Sequence, residues 1–297
     1  MTRIVELLDA GRCFSFEFFP PKTEEAEAQL QQTLVELAPL RPSFVSITYG
    51  AGGTTRERTH DLVLGILRST EMTPMAHLCC AGHSEDELRS ILARYRDEGV
   101  ENILALRGDP PAELHLPPGD LAHASELVQL AREIGSFSVG VAAHPEGHPA
   151  SPDLASDRKH LAAKLAGADF AVTQFFFRVE DYLRLVDDLA ALGCDRPVIP
   201  GIMPVTNLSQ VTRFAALSGA DFPADLATRL EAVAENPAEV RRIGVEVASQ
   251  LCRDLLEAGA PGLHFYTLNR STATREIFAT LGREAVANWP SGPARSR

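Results

Sequence analysis

The sequence predicts an α/β fold, a (β/α)8 barrel with extra helices inserted before the last strand. Three observations predict it. Eight β-rich runs alternate with helical patterns over the 297 residues. No linker-like stretch breaks that rhythm, so residues 1–288 read as one domain and 289–297, rich in Pro, Gly, Ser and Arg, as a disordered tail. Almost every β-rich run ends in a polar group, which is where a barrel gathers its chemistry. An open doubly wound sheet is the alternative arrangement of the same pattern.

Residues 2–10 form an amphipathic helix that leads into the first strand, 13–19. That strand carries Phe14-Ser15-Phe16-Glu17-Phe18-Phe19 and is stopped by Pro20-Pro21. Alternation sends Ser15, Glu17 and Phe19 to one face and the other three phenylalanines to the opposite face. A helix over 24–37 opens with Glu24 and Glu25, where the helix dipole favours acids. Residues 44–49 are the second strand, followed by Gly50-Ala51-Gly52-Gly53. Thr54 and Glu57 supply a capping box for a helix over 55–69.

The third strand is 75–78, and Ser84 with Glu87 caps the helix over 85–98. The fourth strand, 102–106, runs into Arg107-Gly108-Asp109 and a Pro-rich loop before a helix near 121–134. Strand five (137–143) leads into His144-Pro145-Glu146-Gly147-His148-Pro149 and a helix over 154–166. Strand six (170–176), a helix over 179–192 and strand seven (197–202) follow. Asn207 with Gln210 caps a helix to 218. The insertion comprises 223–233 and a long helix begun by Asn236-Pro237-Ala238-Glu239, a cap with proline at the first position. Strand eight is 262–267, with a helix over 271–281.

Bulk properties restrict the function. With 45% hydrophobic residues the chain can bury a large core, and a net charge of −12 argues against nucleic acid or an anionic membrane as partner. Five cysteines, an odd number without a framework spacing, argue for a reducing compartment. The acidic N-terminus lacks a signal peptide's apolar run, and no apolar stretch approaches the ~20 residues that span a bilayer. A soluble cytoplasmic protein is expected.

The strand ends assemble Glu17, Thr48, His77, Arg107 with Asp109, His144, Gln174, Met203 and Tyr266 to Arg270. Glu17 stands out. A carboxylate buried without a partner holds its proton to higher pH, although an arginine or backbone donors could equally satisfy it as a structural group. The glycine loop at 50–53 lacks the third glycine of a dinucleotide fingerprint, since position 55 is Thr. The prolines around His144 and His148 exclude the helical spacing of a zinc protease motif, and Cys79-Cys80 lacks a third ligand at the same barrel end. No metal is expected. No lysine occupies a strand end, which argues against a Schiff-base aldolase. On their residue types alone, Lys164 is a solvated helix lysine and Phe214 a core residue.

Six ordered blocks carry a resemblance: Ser15-Phe-Glu-Phe-Phe-Pro-Pro21, Phe44-Val-Ser-Ile-Thr-Tyr-Gly50, Ala105-Leu-Arg-Gly-Asp109, Thr173-Gln-Phe-Phe176, Pro200-Gly-Ile-Met-Pro-Val205 and His264-Phe-Tyr-Thr-Leu-Asn-Arg270. Over about 12–282 the chain resembles the bacterial methylenetetrahydrofolate reductases. The resemblance implies a homo-oligomeric (β/α)8 flavoprotein that passes a hydride from NADH or NADPH through FAD to 5,10-methylenetetrahydrofolate by a ping-pong route. It implies Glu17 as general acid and Asp109 beside flavin and pterin. It places FAD against Tyr49, Ala51, His77, Arg107, Gly108, His148, Asp157 and Lys164, with Thr48 near the nicotinamide. Gln174, Gln210, Phe214 and Arg270 would bind substrate. The FAD surround also includes His123 and His144, where the family usually has tyrosine, and His160, where Asn is common. A flavin-free folate-binding or methyl-transfer barrel is the alternative function.

Overall fold

The computed structural model describes residues 2–49, 56–108 and 119–286, with the backbone alone at 56 and 283–286. The glycine loop with Ala51, the Thr54 cap, Asp109, the Pro-rich loop and the tail lie outside the described residues.

Eight parallel strands close in sequence order: β1 (Cys13–Phe18), β2 (Phe44–Ile47), β3 (Pro74–Cys79), β4 (Asn102–Leu106), β5 (Ser138–Ala143), β6 (Phe170–Phe175), β7 (Val198–Ile202) and β8 (Gly262–Tyr266), with β8 pairing back onto β1. Closure rules out the open sheet. Helix α1 (Ile4–Ala10) precedes β1. The helices between strands are α2 (Glu24–Leu37), α3 (Arg56–Ser69), α4 (Glu85–Asp97), α5 (Ala124–Ile134), α6 (Leu154–Leu165) and α7 (Val179–Ala191). A short 3-10 turn, Ala38–Leu40, extends α2. Helix α8 (Leu208–Ser218) follows β7, the expected insertion comes next as α9 (Ala224–Glu231) and α10 (Pro237–Glu257), and α11 (Thr272–Val286) completes the ring, its backbone breaking at Gly282.

The expected caps form where they are described. Ser84 and Glu87 close a reciprocal box at α4, Asn207 accepts from the Gln210 N–H at α8, and Asn236 accepts from Ala238 and Glu239 at α10.

The phenylalanine alternation of β1 separates two layers. Phe14, Phe16 and Phe18 are fully buried between barrel and helices, and Phe14 and Phe16 meet Phe278 of α11 edge-on at 5.6 and 5.7 Å. Each such ring contributes about 1.5–3 kcal/mol by burial. They fix β1 from outside and leave the interior face to Ser15 and Glu17. Below them Phe44, Met75, Leu104, Phe170 and Ile199 fill the lower barrel, and α1 seals its base with Ile4 and Leu7. Two N–H groups in the first turn of α1 have no helical partner and use the barrel instead: Ile4 donates to Asn102 Oδ1 at 2.7 Å and Val5 to Ser138 Oγ at 3.1 Å. Among the described residues the base of the barrel is thus filled. The inserted helices have their own apolar contact, in which Gly244 of α10 lies so close to the Val205 carbonyl that an added Cβ would sit 1.8 Å from its oxygen.

Candidate active site

The register determines which side chains share the mouth. Along the closed ladder Ser15 pairs with His264, Glu17 pairs with Ser46 on one side and with Tyr266 on the other, and alternate residues of each strand point inward. Two stacked inward positions thus bring Ser15, Glu17, Ser46 and His264 together, and His77 of β3 joins them.

Glu17 is buried, with 6% of its surface exposed, yet it is well partnered. Its Oε2 lies 3.4 Å from His264 Nε2 and 3.4 Å from Ser46 Oγ, which donates to it. His77 Nε2 approaches the same oxygen at 3.5 Å without hydrogen-bond geometry. On its other side His264 Nδ1 is 2.7 Å from Ser15 Oγ. The tautomer protonated on Nε2 satisfies both bonds: it accepts from Ser15 and donates to Glu17.

This environment corrects the expectation of a raised Glu17 pKa in the ligand-free protein. Burial pushes the carboxyl up, but the His264 hydrogen bond, the charges of His77 and His264, and the Ser46 bond pull it down, and the downward pull prevails. Burial also drives the His77 ring down to about 4, with Glu17 pulling it up and His264 pushing it further down. His77 is therefore uncharged near neutrality, and the pull on Glu17 there rests on His264 and Ser46.

The β6 edge is irregular. Its register against β7 shifts between Val172 and Phe175, the interval that holds Gln174, and such irregularities re-aim side chains beside active sites. Thr173 Oγ1 accepts from the Gly201 N–H at 2.9 Å, and the Tyr266 hydroxyl donates to the Thr173 carbonyl at 2.6 Å. Gly201 is required there, because a Cβ would stand 2.6 Å from the Tyr266 ring.

A family model described as methylenetetrahydrofolate reductase matches residues 3–282. The chain belongs to the methylenetetrahydrofolate reductase family. It is 41% identical over 273 residues to the 5,10-methylenetetrahydrofolate reductase of Escherichia coli (strain K12), covering 90% of each chain. It is 36% identical over 281 residues to the Buchnera aphidicola (subsp. Schizaphis graminum) enzyme of that name, covering 94% of this chain and 95% of that one. Among solved structures, an uncharacterized protein from Clostridium thermocellum that binds two copies of 5-methyl-5,6,7,8-tetrahydrofolic acid matches with a TM-score of 0.68 at 16% identity, covering 95% of this chain and 98% of that one. At that identity the likeness concerns the fold alone.

The remaining residues expected at the site fall into distinct places. Thr48 follows β2, and its carbonyl accepts from Thr59 at 3.1 Å. The Tyr49 hydroxyl is 2.8 Å from His83 Nε2. Arg107 is exposed beside Gly108, whose φ of +76 and close approach to Cys79 (2.9 Å from an added Cβ to Cys79 Cβ) admit only glycine. His123 caps α5, its N–H donating to Glu126 at 2.7 Å. His144 and His148 pack edge to face with ring centres 4.6 Å apart.

Buried Asp157 holds that loop by accepting from the His148 N–H and the Ser151 hydroxyl. Its neighbour Arg158, 2% exposed, pairs with Asp157 at 2.9 Å and donates to the carbonyls of His144 and Pro145. Lys164 is not a solvated lysine. Its Nζ donates to the Ala142 carbonyl at 2.7 Å, and burial lowers it to about 8 against the pull of Asp157. His160 is exposed on α6, Gln210 exposed and Phe214 half-buried on α8, and Arg270 exposed after β8.

Residue types alone did not single out His264, Ser15 or Ser46. Their signal was parity: Ser15 shares the inward set with Glu17, and His264 with Tyr266, but only the register shows that these sets face each other.

Proposed function

We propose that the protein reduces 5,10-methylenetetrahydrofolate to 5-methyltetrahydrofolate with NADH or NADPH as donor, through FAD in a ping-pong cycle, and that Glu17 supplies the proton. The observation that carries this reading is the Glu17 carboxylate at the barrel mouth, buried and held by His264 and Ser46.

The donor set fits FAD. Lys164 is a half-buried amine that donates to the Ala142 carbonyl and feels the charge of Asp157, a suitable counter-charge for a phosphate in a chain of net charge −12. The β5–α6 loop, clamped by Asp157 and Arg158, presents His144 and His148 beside it. Tyr49, His77, Arg107, Gly108, His123 and His160 complete the expected surround, together with Ala51 and Asp109. When bound, FAD supplies a two-electron carrier between nicotinamide and folate.

The chain's own residues do the rest. Gln174 and Gln210 offer amides to whichever substrate occupies the mouth, Phe214 a ring face, and Arg270 a cation for a folate carboxylate. Glu17 protonates the folate nitrogen that leaves when the five-membered ring opens, so that the methylene carbon becomes an electrophilic iminium. The ligand-free carboxyl sits low, so the shift this role needs arises on binding: apolar rings over Glu17 add to desolvation, the contribution already pushing it up.

Stopped-flow measurement of the two half-reactions in Glu17→Gln tests the assignment. Flavin reduction by NADH should stay within about twofold, while the folate half-reaction falls by about 10²-fold or more. Full speed in both half-reactions would remove Glu17 from the chemistry, and a purified protein that neither carries nor rebinds flavin would favour the folate-binding barrel.

A further inference from the structure

The β1–β8 ladder ends at the pair Glu17–Tyr266. Beyond it β1 runs into Pro20, which has no N–H, and β8 turns back. The turn is strained. Leu268 and Asn269 take φ of +52 and +56, consecutive left-handed non-glycine residues; among the described residues only Arg41 is another. Asparagine tolerates that conformation, but leucine adopts it only at a cost. Strain of this kind persists only where the surroundings over-determine it.

The surroundings here do so. Asn269 Oδ1 accepts from the Phe19 N–H at 2.8 Å, and its Nδ2 donates to the Phe19 carbonyl at 2.9 Å. The side-chain amide thereby replaces the missing strand and adds one rung to the ladder. Thr267 Oγ1 donates to the Glu17 carbonyl at 2.6 Å and accepts from the Asn269 N–H at 3.2 Å. The Arg270 N–H returns to the Thr267 carbonyl at 3.0 Å, and Thr33 of α2 donates to the Asn269 carbonyl at 2.9 Å. The main chain at Glu17 and Phe19 and the main chain that carries Arg270 are thus held by one turn.

We propose that Asn269 is a positioning residue that sets the Glu17 carboxylate against the group carried on Arg270, by bonding both backbone groups of Phe19 from a strained turn. The proposal rests on the assignment of Glu17 as the proton donor. Asparagine is required because the site needs one acceptor and one donor. Aspartate keeps the acceptor toward the Phe19 N–H but opposes a carboxylate to the Phe19 carbonyl, and alanine provides neither.

The test uses flavin-loaded enzyme. In Asn269→Ala the folate half-reaction should fall at least tenfold, and the acid limb of its pH profile should move as Glu17 shifts against His264. Flavin reduction by NADH should stay within twofold. Asn269→Asp should fall between wild type and Asn269→Ala, and it carries the test if the alanine variant does not fold. A parallel loss in both half-reactions, or no loss in the folate half-reaction, would overturn the positioning role. Glu17→Gln run alongside separates the two ideas: if that variant keeps full folate activity, the Glu17 assignment fails. If it loses activity while the Asn269 variants do not, only this inference fails.

Discussion

His264 Nε2 stands 3.4 Å from Glu17 Oε2, while the other ring nitrogen of His264 is 2.7 Å from the Ser15 hydroxyl. The serine sets the ring's tautomer and angle, and the ring in turn holds the carboxylate. Ser15→Ala leaves a fully buried imidazole nitrogen without its partner. We expect a stability loss of about 1–3 kcal/mol, the usual cost of a buried unsatisfied polar group. The folate half-reaction should also slow more than flavin reduction. Urea unfolding with stopped-flow kinetics checks both, and unchanged stability together with unchanged kinetics would separate Ser15 from the site.

Acid should destabilise the fold through His77 before it does so through Glu17. The His77 value in the fold, about 4, lies below its ordinary 6.5, so the fold favours the neutral ring. That contribution is complete above pH 6.5 and is lost as pH falls through 4. Glu17 is also held below its ordinary 4.5, so its contribution is present above that pH and is lost lower still. Between pH 6.5 and about 4 the His77 effect amounts to at most about 3 kcal/mol. His77→Gln should flatten the dependence of the urea midpoint on pH across that window; a slope equal to that of the wild type would show that His77 does not titrate there.

On the proposed FAD assignment, Lys164 opposes stability to binding. Its value of about 8 means that burial disfavours the charged amine. With a folded value below the ordinary 10.5, its contribution to stability is full only above that pH and is lost as pH falls through 8. Lys164→Met removes a buried charge but also the bond to Ala142. The ligand-free protein should gain about 1–2 kcal/mol at pH 7 once the lost bond is subtracted. Flavin affinity should fall at least tenfold. Thermal unfolding of the flavin-free protein and fluorescence titration with FAD measure the two effects. Undiminished affinity would mean that the amine does not face the cofactor.

Much of the architecture was legible in the chain. The alternating runs and the caps at Ser84, Asn207 and Asn236 are local signals, because a cap is decided within four residues. The two faces of β1 were legible for the same reason: a period of two needs no partner strand. The charge state of Glu17 was not. Residue types suggested an unpartnered carboxylate with a raised pKa, and the barrel supplied His264, 247 positions away in the chain. Lys164 was likewise misjudged, because its burial depends on how α6 lies against β5.

By itself the sequence determined the number and order of the elements, the inward face of β1, and the six blocks that mark the family, since each is written in neighbouring residues. Only the tertiary structure decided which inward residues meet. Closure of β8 onto β1 turned Ser15, Glu17 and His264 into one hydrogen-bonded chain, and a left-handed turn let Asn269 continue the ladder past its last pair. The reason is physical. Electrostatic and hydrogen-bond energies fall off within a few ångströms, so the chemistry of a buried group is set by its spatial neighbours, and ring closure chooses those neighbours from opposite ends of the chain.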